Sequence, residues 1–278
     1  MFNVLIALFI ALIAALPLFW MKTKASRTIG ALVALGIGAV GFGVSKTYLY
    51  PEYLGWQFEH EIKKQALFTL ISQNYPAEFK EYVKKVKQNL RTNDDPNLVS
   101  AYSTQLVNNI FYKSLANTPD DYVGLYLKST IDLYRYLNGQ DPRAVIKLEN
   151  GDNAIEYDIG ALYETKDFQK RLNHLLDTKR YVIEAAIKNP TPPPQATQAE
   201  PLLKGVMSEL AQKYGDNAVR AAFTAPKTIP PNVGAQIIIE FYTSILSAGP
   251  ENAGIIMRYI ASLKGQPNHP AQKDAPSK

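Results

Sequence analysis

The sequence contains no cysteine, and only three of its 278 residues are histidine. The lack of cysteine excludes disulfides, thiolate metal sites, iron–sulfur clusters and a cysteine nucleophile. The histidines, His60, His174 and His269, are too dispersed to indicate a histidine-based metal site. His60 precedes Glu61 as in a metalloprotease helix, but Lys64 stands where the second zinc ligand of that motif would be.

Other motifs of catalytic and cofactor sites are also missing. The chain has no Gly-x-Ser-x-Gly, no Ser-x-x-Lys and no glycine-rich phosphate loop. An acidic cluster at residues 149–153, followed by Glu156 and Asp158, lacks the ligand spacing of a calcium loop and is interpreted as a polar surface turn. The aspartate pairs at 94–95 and 120–121 lie beside prolines and are interpreted as helix caps. We therefore predict no catalytic residue, no cofactor-binding residue, no metal ligand and no cofactor.

Long uncharged stretches are present only near the start of the chain. Residues 2–20 are nineteen residues without a charge, and a second apolar stretch begins at residue 29. As a helix the first stretch is about 28 Å long, enough to cross the hydrocarbon core of a bilayer. We predict a transmembrane hairpin over residues 1–50, with spans 2–20 and 29–47 and a cytoplasmic loop 21–28. The lipid bilayer is thus a predicted partner of residues 2–47.

The orientation of this hairpin follows from its basic residues. Lys22, Lys24 and Arg27 lie in the loop, and Lys and Arg are retained on the cytoplasmic side. Lys46, at the far end of the second span, opposes this orientation with one charge against three. The sequence therefore predicts an integral protein of an inner or plasma membrane with residues 51–278 extracytoplasmic, in the periplasm where that compartment exists.

The basic excess of the chain is concentrated in the same segment. Residues 1–46 hold four basic and no acidic side chains, so they supply four of the five net positive charges. The remaining 26 basic and 25 acidic residues nearly cancel. A nucleic-acid-binding domain would carry a basic surface of its own, so we predict no nucleic-acid partner.

The rest of the chain shows apolar residues at helical spacing and no convincing strand, which predicts an all-α fold. We predict a helical domain over residues 51–189, a Pro-rich connector over 190–200, C-terminal helices over 201–264 packed on the first part, and a disordered tail over 265–278. Periodicity and capping signals place the helices. They are expected over residues 52–73, from Pro76, over 96–115, from 118–121 to 138, briefly after Asp141-Pro142, and over 166–188, 201–214, 216–223, 232–247 and 250–264.

Three surface features have two readings each. Residues 77–93 carry a basic stripe, which is either a solvated face or a contact for anionic headgroups or an acidic partner. The chain has seventeen tyrosines, and those of the fourth soluble helix suit either a protein interface or a core with a wet edge. Glu240 stands among large hydrophobic residues and faces either water or Arg258. Because both lie nine residues from the turn near residue 249, we predict a Glu240–Arg258 ion pair.

The absence of catalytic and cofactor motifs, together with the predicted hairpin, favours a membrane-anchored, non-enzymatic helical interaction or scaffold protein of the cell envelope. It would bind partner proteins on the extracytoplasmic side. The alternative is an enzyme acting on envelope polymers or lipids through carboxylate acid–base chemistry, which a pocket with two convergent carboxylates would favour. A sensor is a weaker alternative, because only the short loop lies in the cytoplasm.

Overall fold

The computed structural model describes residues 50–92, 96–151 and 154–265. Within these ranges the chain forms eleven α-helices, two short 3-10 helices and no strand, which confirms the predicted all-α fold class. None of the described helices combines the length and apolar character that a bilayer span requires. The two predicted transmembrane spans and the tail from residue 266 lie outside the described residues.

Most helices begin and end where the capping signals place them. In chain order they are α1 Tyr50–Ile62, α2 Ala66–Asn74, α3 Pro76–Thr92, α4 Pro96–Leu115, α5 Asp120–Gln140, α6 Pro142–Asn150, α7 Lys166–Lys188, α8 Ala196–Tyr214, α9 Asp216–Thr224, α10 Pro231–Ser247 and α11 Pro250–Lys264. The 3-10 helices are Gly160–Glu164 and Pro226–Thr228. Proline occupies the first turn of several helices, where its missing N–H leaves no helical hydrogen bond unmade.

Two boundaries differ from the predicted ones. The single helix expected over residues 52–73 is broken between α1 and α2, where the Thr69 hydroxyl donates to the carbonyl of Lys63 at 2.5 Å. Helix α8 begins five residues before the predicted start, because Gln195 and Gln198 form a capping box. Pro201 then lies inside the helix and omits one backbone hydrogen bond.

The chain divides into two compact units, residues 1–106 and residues 107–278, with the division inside α4. In the first unit, α1 and α2 pack against α3. Tyr82 of α3 is buried, and its ring lies 5.9 Å from that of Phe58 and 6.1 Å from that of Phe68. The Tyr82 hydroxyl lies 2.8 Å from Oγ of Ser103, so this aromatic cluster buries a large ring without stranding its polar end.

The basic stripe of α3 belongs to this first unit. Lys87 lies 3.9 Å from both Glu52 and Glu59 of α1, and Arg91 forms an ion pair with Glu52. Lys80 is exposed to solvent. Two residues of the stripe, Lys87 and Arg91, therefore join α3 to α1 by ion pairs, a role that neither interpretation of the sequence included.

In the second unit, α5 is the central helix and packs against α6, α7, α10 and α11. Residues 190–195 form neither helix nor strand and join α7 to α8. This connector is held at two points: the amide of Thr191 donates to the carbonyl of Asn117 at 2.8 Å, and Arg258 Nη1 donates to the carbonyl of Pro192 at 2.9 Å. Helices from both sides of the connector thus belong to one unit.

The predicted Glu240–Arg258 ion pair is wrong. Arg258 is buried, and its Nε lies 3.1 Å from Oδ1 of Asp120 at the start of α5. Glu240 instead accepts a hydrogen bond from Lys213 of α8 at 2.6 Å. Equal distance from the turn fixes only the height along the two helices, whereas the rotation of each helix decides which neighbour its side chain meets. The interpretation of residues 120–121 as helix caps is also wrong, because Pro119 is the N-cap of α5 and no side chain caps it. Asp120 is instead an ion-pair partner in the first turn, and the pair at 94–95 lies outside the described residues.

Candidate binding site

A cavity of about 270 Å³ opens among the helices of the second unit. Apolar side chains form most of its wall, and three tyrosines, one glutamate and one lysine form the rest. We call this cavity the Glu149 pocket. Its apolar lining is Leu115, Leu203, Met207, Phe223, Phe241, Met257, Ile260 and Ala261, and its polar lining is Tyr112, Tyr126, Glu149, Tyr242 and Lys264.

Glu149 lies in the last turn of α6, and its side chain is only 10% exposed. The hydroxyls of Tyr134 and Tyr242 both donate to its Oε2, at 2.9 Å and 2.8 Å. Nζ of Lys264 lies 3.9 Å from Oε1, an ion-pair distance beyond hydrogen-bond length. Two helices and the end of a third therefore fix one carboxylate at the wall of the pocket.

The local sequence explains why this acid points inward. Glu149 follows Ile146 by three residues and Val145 by four, and both are fully buried, so all three share the inner face of α6. A carboxylate in the last turn of a helix also meets the negative end of the helix dipole. Burial there is costly without donors, and the two tyrosine hydroxyls supply them.

Burial raises the pKa of Tyr134 and of Tyr242 well above the usual value, and the nearby charge of Glu149 raises both further. The two hydroxyls consequently stay protonated and remain donors throughout the physiological range. Their rings meet edge to face, with centroids 5.9 Å apart. Burial likewise raises the pKa of Tyr112 and of Tyr126.

Two lysine ammonium groups interact electrostatically with this carboxylate and lie over aromatic rings. Lys264, whose side chain is 39% exposed, has its Nζ 5.1 Å from the ring centroid of Tyr112. Lys179 of α7 has its Nζ 4.9 Å from the ring of Phe111 and donates to Oδ1 of Asn108 at 3.1 Å. Burial lowers the pKa of Lys179 to about 8, although part of the residue reaches solvent and the Glu149 charge acts in the opposite direction.

The sequence interpretation of Glu149 as part of a polar surface turn is wrong, because Glu149 lies on a helix and faces the core. Its spacing from Val145 and Ile146 is the signal that identifies it. The tyrosines of α5 are expected from the sequence to lie either at a protein interface or in a core with a wet edge. Tyr126 and Tyr134 are buried in the core, whereas Tyr122 is half-buried.

The structure brings the histidines to no common site. His60 and His174 are exposed, and His269 lies outside the described residues. Across the described ranges, no group of three or more His, Asp or Glu side chains is arranged to hold a metal ion. Comparisons with known proteins gave no match to a family model, a curated protein or a solved structure.

Proposed function

We propose that this chain is a membrane-anchored, non-enzymatic binding protein of the cell envelope, whose helical part contacts partner proteins on the extracytoplasmic side. The Glu149 pocket is the observation that carries the proposal. Binding sites are typically preformed apolar cavities with a few fixed polar groups. The pocket has this character, with one carboxylate oriented by two tyrosines.

The start of α1 supports the membrane anchor. Tyr53 and Trp56 are 40% and 60% exposed, and their ring centroids lie 6.3 Å apart. Both residues follow within ten positions of the predicted end of the second span at residue 47. Exposed Tyr and Trp at this distance suit the headgroup region, where amphipathic aromatic rings are enriched.

The make-up of the pocket favours binding over catalysis. The carboxylate acid–base chemistry of the alternative, acting on envelope polymers or lipids, calls for a second carboxylate that converges with the first. Among the described residues that line the pocket, Glu149 is the one carboxylate. Two tyrosine donors already take one of its oxygens, which suits a group that orients a ligand.

Protease digestion tests the proposed topology. Protease added to cells with a permeabilised outer layer should remove the part of the chain after residue 51, because the predicted loop holds the hairpin ends outside. Replacing Lys22, Lys24 and Arg27 by Gln should reduce the digested fraction, since it removes the retained charges. Protection of the wild-type chain until the cells are lysed would contradict the proposed orientation.

Differential capture tests the proposed binding. The chain is purified in detergent as wild type, as Glu149→Gln and as the matched control Glu184→Gln, and the copurifying proteins are compared. Glu184 is a partly exposed acid paired with Arg180 on α7, away from the lining of the pocket. Partners should be lost with Glu149→Gln and kept with Glu184→Gln. The same partners with all three forms would show that the pocket is not the binding site.

A further inference from the structure

We infer that the Glu149 pocket recognises a primary ammonium group on an apolar stem, and that Lys264 takes the place of that ammonium when the pocket is empty. This inference deepens the proposed binding function and rests on it. It follows from the free side of the carboxylate, from the aromatic walls and from the position of Lys264.

The carboxylate of Glu149 is satisfied on one side only. Both tyrosine hydroxyls donate to Oε2, and within the described ranges no hydrogen bond reaches Oε1. Among the described residues, the cation within ion-pair distance of Oε1 is Lys264, whose Nζ lies 3.9 Å away. An oxygen without a donor, on a carboxylate side chain that is only 10% exposed, gains most from a charged donor, so a ligand ammonium within hydrogen-bond length would stabilise it more than Lys264 does.

The walls next to this oxygen suit a cation with an apolar stem. Ammonium groups are attracted to the faces of aromatic rings, most strongly where water is excluded. The second unit already holds two such contacts, Lys264 over Tyr112 in the lining of the pocket and Lys179 over Phe111 outside that lining. Met207 and Met257 contribute flexible, polarisable side chains to the lining, which can adapt to the shape of a stem.

Charge balance requires a ligand ammonium to replace Lys264. Glu149 supplies one negative charge, while Lys264 and Lys179 supply up to two positive ones, so a third cation would meet net repulsion. Lys264 is the last residue of α11 and its side chain is 39% exposed, so its ammonium can move into solvent. When a ligand ammonium replaces that of Lys264, the net charge of the site stays the same, and the partly exposed lysine ammonium gives way to one enclosed by the pocket.

Titration of the full chain in detergent near pH 7 tests this inference with three probes of one shape. Phenylbutylamine, phenylbutanol and phenylbutyrate carry a cation, a neutral hydroxyl and an anion on the same stem. Isothermal calorimetry on the wild type should rank the amine first. Lys264→Met should tighten amine binding on the order of tenfold, because the competing ammonium is gone. Glu149→Gln should reduce amine binding to the level of the alcohol. The heat that remains when the amine is titrated into this variant also measures how much amine partitions into the detergent.

Lys213→Met is the matched control. Lys213 is also paired with a glutamate, Glu240, and lies 5.2 Å from the ring of Tyr214, but it is outside the pocket. Its replacement should leave amine affinity unchanged. Equal binding of amine and alcohol to both the wild type and Lys264→Met would overturn the ammonium inference. If partner capture still depended on Glu149, the proposed binding function would remain.

Two sources can supply such an ammonium, and a competition assay separates them. Phenylbutylamine that displaces a captured protein from the wild-type chain assigns the ammonium to a lysine side chain of that partner. Amine binding without displacement assigns it to a small free amine. Failure of all three probes to bind, with circular dichroism showing each form folded, would overturn the inference.

Discussion

Lys179 offers the sharpest test of the electrostatics around the Glu149 pocket. Burial lowers its pKa to about 8, whereas an unfolded chain restores the ordinary lysine value near 10.4. Between these two values the unfolded state binds more protons than the folded state, so the free energy of unfolding rises with pH. The difference between the two pKa values corresponds to about 3 kcal/mol, which the folded protein lacks at pH 7 and recovers as pH rises through this window.

The substitution Lys179→Met removes the cost of burying a charged lysine. Methionine keeps the unbranched apolar stem but loses the hydrogen bond to Asn108, which is 3.1 Å long in the wild type. That loss costs about 1 kcal/mol, so the variant should be more stable than the wild type by about 2 kcal/mol near pH 7. The advantage should shrink and then reverse by about pH 10, where the wild-type lysine has become neutral.

Urea unfolding of the full chain in detergent, followed by circular dichroism, measures both effects. The chain has two tryptophans, Trp20 and Trp56, and both precede residue 107, so their emission separates unfolding of the first unit from that of the second. Buried tyrosines also titrate at high pH, but they are common to both proteins and cancel in the difference. Lys170→Met, an exposed substitution on the same helix, is the control and should leave the pH profile unchanged. A constant stability difference from pH 7 to about pH 10, or a variant less stable at pH 7, would refute the reasoning.

Two further substitutions test individual contacts by the same unfolding assay. Tyr242→Phe should lower the free energy of unfolding by roughly 2 kcal/mol, because it removes a hydrogen bond of 2.8 Å to the charged Glu149. Gly254→Ala should cost roughly 2 kcal/mol, because the new methyl group would overlap the Asp120 side chain and push it from its ion pair. Gly205→Ala, in a helix position with open space around it, should instead stabilise the protein by up to about 1 kcal/mol.

Each of these substitutions has an outcome that would contradict it. Tyr181→Phe removes a hydroxyl from an exposed tyrosine and should leave the free energy of unfolding nearly unchanged. If Tyr181→Phe and Tyr242→Phe changed the free energy of unfolding by the same amount, the hydrogen bond from Tyr242 to Glu149 would contribute nothing specific. If Gly254→Ala and Gly205→Ala changed stability alike, the close approach of α11 to Asp120 would not constrain the packing.

The sequence by itself determined the secondary structure over most of the described chain. Helix α7 runs from Lys166 to Lys188 as predicted, and Asp141-Pro142 opens α6 as expected. These signals are local: a proline fixes its own backbone, and a cap bonds to the next turn. The one broken helix, at residues 63–65, has no proline or glycine to mark it.

Only the tertiary structure decided which charged side chains meet. Glu149 bonds to Tyr242, 93 residues further along the chain, and Arg258 bonds to the carbonyl of Pro192, 66 residues before it. A helical pattern shows which face of a helix is apolar, but it does not show which other helix covers that face. The alignment of Glu240 with Arg258 therefore gave the wrong partner for each residue, because helix rotation and packing set the pairs. For the same reason the pocket around Glu149 became visible only when seven helices were placed around one carboxylate.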